Sequence, residues 1–159
     1  DPMLNELKRF GLDNQEDDVV KVINYPVYLT GVDGLLDLSY YDAILGCHLG
    51  VFPSYYEPWG YTPLESAALG VPAITTDLAG YGRFIKDKTT KGGIYVLDRM
   101  GKTDDETINQ FVQILLEYCN LKKKKRVAQK IMAKNLSTLA DWNIFINNYI
   151  EAHNLALEK

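Results

Sequence analysis

The sequence predicts an α/β fold in which a parallel, doubly wound sheet is followed by helices. Two observations predict it: short apolar runs alternate with helical patterns up to residue 97, and the pattern is helical throughout from residue 104 onward. About four strands are predicted, fewer than such a sheet usually has, so we expect a truncated sheet. We expect the sheet within residues 1–103 and the helices of residues 104–159 packed on the same domain.

The predicted strands are short apolar runs, and the predicted helices show a periodicity of three to four residues. Strands are expected at residues 19–25, 48–52, 72–76 and 93–97. Helices are expected at residues 3–10, 40–46 (after Ser39 as N-cap), 63–69, 105–118, 122–136 and 141–157. Gly80 and Gly82 favour a loop that runs to Lys91. In the last helix, we expect core packing by Ile146, Tyr149, Ile150 and Leu157.

Composition and charge limit the classes of function. The chain is 47% hydrophobic and 24% charged, which is ordinary for a globular domain, and its net charge of −4 argues against a general nucleic-acid binder. Cys47 and Cys119 show no CxxC spacing, and two cysteines with two histidines do not form a zinc pattern. The sequence shows no signal peptide and no apolar run of membrane length. We therefore expect a cytoplasmic protein without membrane contact, metal or cofactor.

The stretch from Val51 to Glu65 is the most informative part of the sequence. It predicts a buried strand, an aromatic loop and a helix start, with Thr62 as the N-cap, Pro63 as the first helical residue and Glu65 completing a capping box. Such a helix start presents unpaired N–H groups and the positive pole of the helix dipole, which favour a phosphate. Gly60 would let a ligand approach the backbone closely.

The loop in this stretch also predicts a binding surface. Loops rarely expose much aromatic area unless a ligand stacks there, and we expect four exposed rings: Tyr55, Tyr56, Trp59 and Tyr61. Spacing alone leaves open whether Glu65 caps the helix or contacts a ligand. Because ligands bind beyond the carboxyl ends of parallel strands, we expect loops 53–62 and 77–83 to meet at one cleft.

A basic segment is the strongest charge feature of the chain. Residues 122–126 are four lysines and an arginine, and on a helix four basic side chains share one face: Lys123, Arg126, Lys130 and Lys134. A solvated helix face is the structural interpretation of this segment. A second interpretation is nuclear targeting or RNA binding. The acidic balance of the rest of the chain disfavours it.

Residues 47–65, from Cys47-His-Leu-Gly to Tyr-Thr-Pro-Leu-Glu65, resemble the donor-site signature of the glycogen synthases of animals and fungi. The resemblance continues in residues 70–82, 93–99 and 136–142, so it covers most of the chain and is weakest over residues 100–125. Members of that family are retaining glycosyltransferases of GT-B architecture, in which two Rossmann-like domains face a cleft. The resemblance implies a fragment of the C-terminal, donor-binding Rossmann-like domain.

The resemblance also implies a role for each matching position. Glu57 would be catalytic, lying near the transferred glucose, and Glu65 would hold the ribose hydroxyls of the nucleotide. The N–H groups of Tyr61 and Thr62 would bind the diphosphate, and the ring of Tyr40 would stack on uracil. The implied nucleotide-sugar site is completed by Trp59 and Gly60.

The basic segment resembles the arginine-rich helix that binds glucose 6-phosphate in regulated members of the family. Arg126 and Lys130 match basic positions that contact the effector phosphate, and His48 matches another effector contact. Met132 and Asn135 replace arginines of that helix, and lysine is a poorer bidentate phosphate ligand than arginine. Regulation by this phosphate therefore does not follow from the resemblance alone.

The function implied for the full-length protein is transfer of glucose from UDP-glucose to the non-reducing end of an α-1,4-glucan with retention, by a homo-oligomer. In similar enzymes an arginine and a lysine upstream of this region contact the diphosphate, so we expect this chain alone to lack transferase turnover. Three alternatives remain. They are an ADP-glucose-dependent synthase, a non-catalytic module that binds nucleotide sugars or glucans, and a glycosidase that uses Glu57 and Glu65.

Overall fold

The computed structural model describes residues 2–89 and 92–158, and the chain separates into two units, residues 1–38 and 39–159. The first unit contains helix α1, Pro2–Arg9, close to the limits that its amphipathic pattern predicts. The boundary predicted at residue 103 stays a prediction.

The apolar run of residues 19–25 forms no strand, so the strand predicted there is wrong. Val19 is fully exposed, and no strand lies beside the run among residues 2–38. Instead, the side chain of Asn14 pairs with the backbone of Val22: its Nδ2 donates to the carbonyl and its Oδ1 accepts from the N–H, both at 2.7 Å. An apolar, β-branched run needs a neighbouring strand before it can form a sheet.

The second unit is built on a parallel sheet of three strands among the described residues. In pairing order the strands are β1 (Gly50–Val51), β2 (Ala73–Thr76) and β3 (Ile94–Leu97). Gly50 pairs with Ala73, and Ala73 pairs with Ile94. The prediction of an α/β fold with a parallel sheet is therefore confirmed, and each strand lies inside a predicted run.

In the described part of this unit, six α-helices accompany the sheet. They are α2 (Tyr40–Leu45), α3 (Tyr61–Ala68), α4 (Gly80–Lys86), α5 (Asp104–Cys119), α6 (Lys123–Ser137) and α7 (Trp142–Leu157), with a 3-10 helix at Thr138–Ala140 before α7. Helices α3 to α6 pack against the strands. Every one of these α-helices except α4 is predicted from the sequence, and the 3-10 helix is not. The hydroxyl of Ser39 accepts from the N–H of Asp42 at 3.2 Å, which confirms the predicted N-cap of α2.

Helix α4 occupies a segment that Gly80 and Gly82 predict to be loop, and that prediction is wrong. A β-carbon at Gly80 would lie 2.2 Å from the carbonyl oxygen of Pro58, and one at Gly82 would lie 1.9 Å from the carbonyl oxygen of Thr76. These glycines therefore allow a close approach of the helix to the chain around it, and they do not mark a turn. The last two residues of the predicted loop, 90 and 91, lie outside the described residues.

The core lies between the sheet and helices α3, α4 and α6. Its central buried side chains are Ala67, Tyr81, Ile85, Ile94 and Ala133. Helix α3 packs along α6.

Helix α7 begins as predicted, because the carboxylate of Asp141 caps it by accepting from the N–H of Asn143 at 2.7 Å. None of the residues described in α7 is buried, however, so the core packing predicted for this helix is wrong for Ile146, Tyr149, Ile150 and Leu157. In the described ranges, no helix is both long and apolar enough to span a membrane.

Candidate active site

The loops that follow β1 and β2 meet at the carboxyl end of the sheet, as the polarity of parallel strands predicts. The loop after β1, residues 53–60, is called the aromatic loop below. Glu57 and Ala79 form an isolated parallel bridge between the two loops. The N–H of Gly80 donates to the carbonyl of Glu57 at 3.1 Å, and the N–H of Tyr81 donates to the carbonyl of Trp59 at 2.6 Å. Backbone bonds therefore fix the second half of the aromatic loop.

Helix α3 begins two residues earlier than the sequence predicts, at Tyr61. Gly60 is its N-cap, with φ at 101°, and no side chain caps the helix, so the capping box predicted for Thr62 and Glu65 is wrong. The left-handed conformation of Gly60 turns the chain sharply into the helix, which few other residues tolerate. Pro63 is consequently the third helical residue.

The uncapped start of α3 is suited to an anion. The first N–H groups of a helix, here those of Tyr61 and Thr62, have no partner within the helix, and they lie at the positive end of its dipole. Glu57 lies next to this start, since an ideal β-carbon on Gly60 would be 3.4 Å from Cγ of Glu57. The structure thus brings the side chain of Glu57 and the uncapped start of α3 together across Gly60.

Glu65 does not act as a cap, and its carboxylate faces Tyr40 instead. The hydroxyl of Tyr40 donates to Oε2 of Glu65 at 3.0 Å, which joins α2 to α3. Burial, followed by this hydrogen bond, raises the pKa of Tyr40 to about 12. Tyr40 therefore remains a protonated donor at neutral pH, and it holds Glu65 in one orientation.

Three of the four aromatic side chains predicted to be exposed are exposed: Tyr55, Tyr56 and Tyr61. The prediction of exposure is wrong for Trp59, whose half-buried ring lies 5.7 Å from that of Tyr81 and 5.6 Å from that of Phe84, between ring centroids. The ring of Phe145 meets its other side at 5.7 Å. Trp59 anchors the aromatic loop to the core, and its assignment to the nucleotide-sugar site stays a prediction.

Sequence reasoning did not single out Asp77, a buried carboxylate directly after β2. It accepts from the N–H groups of Arg99 and Met100 at 2.8 and 3.0 Å and pairs with Nζ of Lys86 at 3.1 Å. Burial would raise the pKa of Asp77, but the bonds from Arg99 and Lys86 outweigh it and lower the pKa. An aspartate after a buried strand was the signal available in the sequence. This carboxylate ties the ends of β2 and β3 together.

The predicted effector residues are brought together only in part. His48 and Arg126 line one cavity of about 510 Å³, together with Cys47, Leu49, Val51, Leu115, Tyr118 and Cys119. The hydroxyl of Tyr118 donates to the carbonyl of His48 at 2.5 Å, which fixes one wall. Lys130 is not among the residues that line this cavity, and its carbonyl faces Gly70 instead. An effector role for these three residues stays a prediction.

Comparison with known proteins bears on the whole chain. The family model described as glycogen synthase matches residues 1–159. The liver glycogen (starch) synthase of Mus musculus is 41% identical over 162 residues, which cover 100% of this chain and 23% of that protein. The glycogen (starch) synthases of Caenorhabditis elegans and Neurospora crassa are each 40% identical over the whole chain, which covers 24% and 23% of their lengths.

The chain thus spans about a quarter of the length of the curated relatives it matches. Within that span lie the parallel sheet, the aromatic loop and the uncapped start of α3. Together with the family match along its full length, these relatives show that the chain belongs to the glycogen synthase family.

Proposed function

We propose that this chain is the donor-binding part of a glycogen synthase that transfers glucose from UDP-glucose to the non-reducing end of an α-1,4-glucan with retention. The observation that carries the proposal is the uncapped start of α3 beside Glu57. An anion bound at this helix start would lie close to the side chain of Glu57. The family membership and the names of the relatives support the class of reaction.

The reaction separates charge between the diphosphate and the sugar, and each charge needs a stabilising group. Breaking the bond between the anomeric carbon and the phosphate oxygen leaves negative charge on the diphosphate and positive charge on the sugar. The N–H groups of Tyr61 and Thr62 would stabilise the diphosphate, because fixed dipoles need no reorganisation as charge develops. The carboxylate of Glu57 would stabilise the oxocarbenium-like sugar.

The nucleotide end of the donor would be held by Tyr40 and Glu65. A carboxylate with one oxygen accepting from Tyr40 still has lone pairs for two ribose hydroxyls. The Tyr40 ring would stack on uracil, and Gly60 would let the diphosphate approach the backbone. No step in this scheme needs a metal or a cofactor from the protein.

We further propose the wider setting that the resemblance implies. The glucan acceptor would bind to a part of the protein outside this chain. The two basic residues that contact the diphosphate would also come from outside it. The whole protein would be a cytoplasmic homo-oligomer. Glucose 6-phosphate would bind at the cavity of His48 and Arg126. Lys130 would need a different position to take part.

Calorimetric titration of this chain tests the donor site. We expect UDP and UDP-glucose to bind weakly and ADP-glucose to bind more weakly still. Glu65→Gln should reduce UDP affinity about tenfold, since a hydrogen bond to a charged group is lost. Glu151→Gln, which makes the same change on the exposed surface of α7, is the matched control and should bind UDP as the wild type does.

Equal UDP affinity in wild type and Glu65→Gln would contradict the assignment of Glu65, and no binding of either nucleotide sugar would contradict the donor site. Tighter binding of ADP-glucose would favour the alternative donor. A second assay incubates this chain with UDP-glucose and glycogen, where we expect no glucose incorporation. Incorporation at a normal enzyme rate would refute the assignment of essential groups to other parts of the protein.

A further inference from the structure

Arg99, which follows β3, is a charged side chain in an almost closed environment. Its side chain is 9% exposed. Nη2 pairs with a carboxylate oxygen of Asp104 at 2.9 Å, and Nη1 donates to the carbonyl of Pro53 at 3.2 Å. The carbon of the guanidinium lies 3.5 Å from the centroid of the Tyr55 ring, which is a close cation–π contact. Two of these three partners belong to the aromatic loop.

The backbone of Arg99 is itself held firmly. Its N–H donates to the buried carboxylate of Asp77 at 2.8 Å, and Lys86 fixes the other oxygen of that carboxylate at 3.1 Å. Lys86 also pairs with Asp98 at 2.5 Å, immediately before Arg99. The guanidinium therefore projects from a rigid base at the end of the sheet.

The contacts of Arg99 complement those that hold the rest of the aromatic loop. Backbone bonds from the chain after β2 hold Glu57 and Trp59. The hydroxyl of Thr76 donates to the carbonyl of Ser54 at 2.8 Å. Arg99 holds Pro53 and Tyr55 from the other side. Glu57 belongs to the first set and follows Tyr55, which belongs to the second, by two residues.

We propose that Arg99 is a positioning residue, which holds Pro53 and Tyr55 so that Glu57 stays beside the start of α3. The effect of Arg99 on the loop follows from the contacts above, whereas its effect on donor binding rests on the proposed function. Arg99 touches no substrate in this scheme, because its guanidinium is occupied by Asp104, Pro53 and Tyr55.

The role requires an arginine in particular. The planar guanidinium can donate in two directions while its face stacks on a ring, whereas a lysine ammonium is a point charge that cannot do all three. Arg99→Lys should therefore keep the pairing with Asp104 and lose part of the hold on Tyr55. This gives a graded series of variants at one position.

Hydrogen exchange tests the hold on the loop without any ligand. In Arg99→Ala we expect the amides of residues 54–57 to exchange about tenfold faster, with Arg99→Lys intermediate and the amides of α6 unchanged. Lys102→Ala is the matched control. It removes a neighbouring cation whose partner is the exposed Glu106, at 2.9 Å, and it should leave the loop at the wild-type rate. Unchanged exchange of residues 54–57 in Arg99→Ala would overturn the proposal.

Titration with UDP-glucose and with UDP, at a temperature where every variant is folded, tests the consequence for the site. Because Glu57 faces the sugar, Arg99→Ala should weaken UDP-glucose on the order of tenfold more than UDP, and Arg99→Lys should recover part of the difference. A variant that is merely less stable would weaken both ligands alike, and that result would overturn the link to Glu57. Failure of the wild type to bind either ligand would overturn the proposed function, while the exchange experiment would still decide the role of Arg99 in the loop.

Discussion

The aromatic loop and helix α7 contain similar side chains in opposite surroundings. Each contains one tryptophan and at least one tyrosine. Trp59 is packed among the rings of Tyr81, Phe84 and Phe145, whereas Trp142 is 61% exposed, with its ring beside that of Tyr149. The loop receives backbone and side-chain bonds from two neighbouring segments. No residue described in α7 is buried.

The comparison shows that side-chain composition does not decide which segment is fixed. The aromatic loop has little regular structure, but glycines let α4 and the start of α3 approach it closely, so its carbonyls find donors. Helix α7 satisfies most of its own backbone hydrogen bonds, and its aromatic contacts with the core are made by Phe145. A loop held by its neighbours can therefore be the more rigid of the two, which suits it to carry Glu57.

Trp59→Ala should produce the largest effect on stability. It removes a ring that contacts three other rings, so we expect the free energy of unfolding to fall by about 3 kcal/mol. Urea unfolding followed by circular dichroism measures this change. Trp142→Ala is the matched substitution on α7, and equal losses in the two variants would break the comparison.

Gly80→Ala should have the second largest effect on stability, because the new β-carbon would lie 2.2 Å from the carbonyl oxygen of Pro58. The backbone on either side must shift, and we expect a loss of about 2 kcal/mol in the same unfolding assay. Gly46→Ala is the control. Its β-carbon would lie at an ordinary distance of 3.4 Å from the nearest atom, and its φ of −69° suits alanine. A loss in Gly46→Ala as large as that in Gly80→Ala would show that the close approach is not the cause.

Tyr81→Phe should stabilise the protein. The hydroxyl of Tyr81 is buried and has no hydrogen-bond partner among the described residues, and burial strongly raises its pKa. Removing an unpaired buried hydroxyl while keeping the ring should raise the free energy of unfolding by about 1 kcal/mol. A fall in the melting temperature of this variant would instead indicate that the hydroxyl has a partner in solution.

Acid should lower the free energy of unfolding by protonating Asp77, which ties β2 to the segment after β3. Its pKa in the folded protein lies below the ordinary value of 3.8, so the carboxylate contributes stability above that pH. The contribution is lost as the pH falls through the folded pKa. Asp77→Asn should therefore be less stable than wild type at pH 6, with a smaller further loss on acidification. Thermal unfolding from pH 6 to well below pH 3.8 measures both slopes, and parallel slopes below pH 3.8 would contradict the role of Asp77.

The sequence predicted the parts of the fold that depend on local patterns. The strands of the sheet and helices α2, α5 and α6 follow from apolar periodicity and from caps such as Ser39. The meeting of the two loops at one edge of the sheet follows from strand polarity, whereas a cleft between them stays a prediction. The hydrogen bond between Tyr40 and Glu65 cannot be predicted from local patterns, since a capping box is the simplest local role for that glutamate.

The errors arise where contacts distant in sequence decide the structure. Gly80 and Gly82 favour a loop in the sequence alone, because their need for close packing is visible only beside Pro58 and Thr76. The start of α3 moved to Tyr61 because Gly60 adopts a positive φ, which the sequence permits but does not require. Trp59 is half-buried where exposure is expected, and the apolar residues of α7 are exposed where burial is expected. Burial depends on which neighbours the fold brings near.

Trp142→Ala should produce the smallest effect of the series and thereby sharpen the comparison. Its ring contacts that of Tyr149 at 5.6 Å between centroids, and both side chains are exposed. We expect the free energy of unfolding of this chain to change by about 0.5 kcal/mol or less, since exposed substitutions remove little packing. Urea unfolding of this variant, measured alongside Trp59→Ala, tests the expectation, because both variants replace a tryptophan by alanine. A loss as large as that of Trp59→Ala would mean that α7 is packed in solution, and the contrast between the fixed loop and the exposed helix would then disappear.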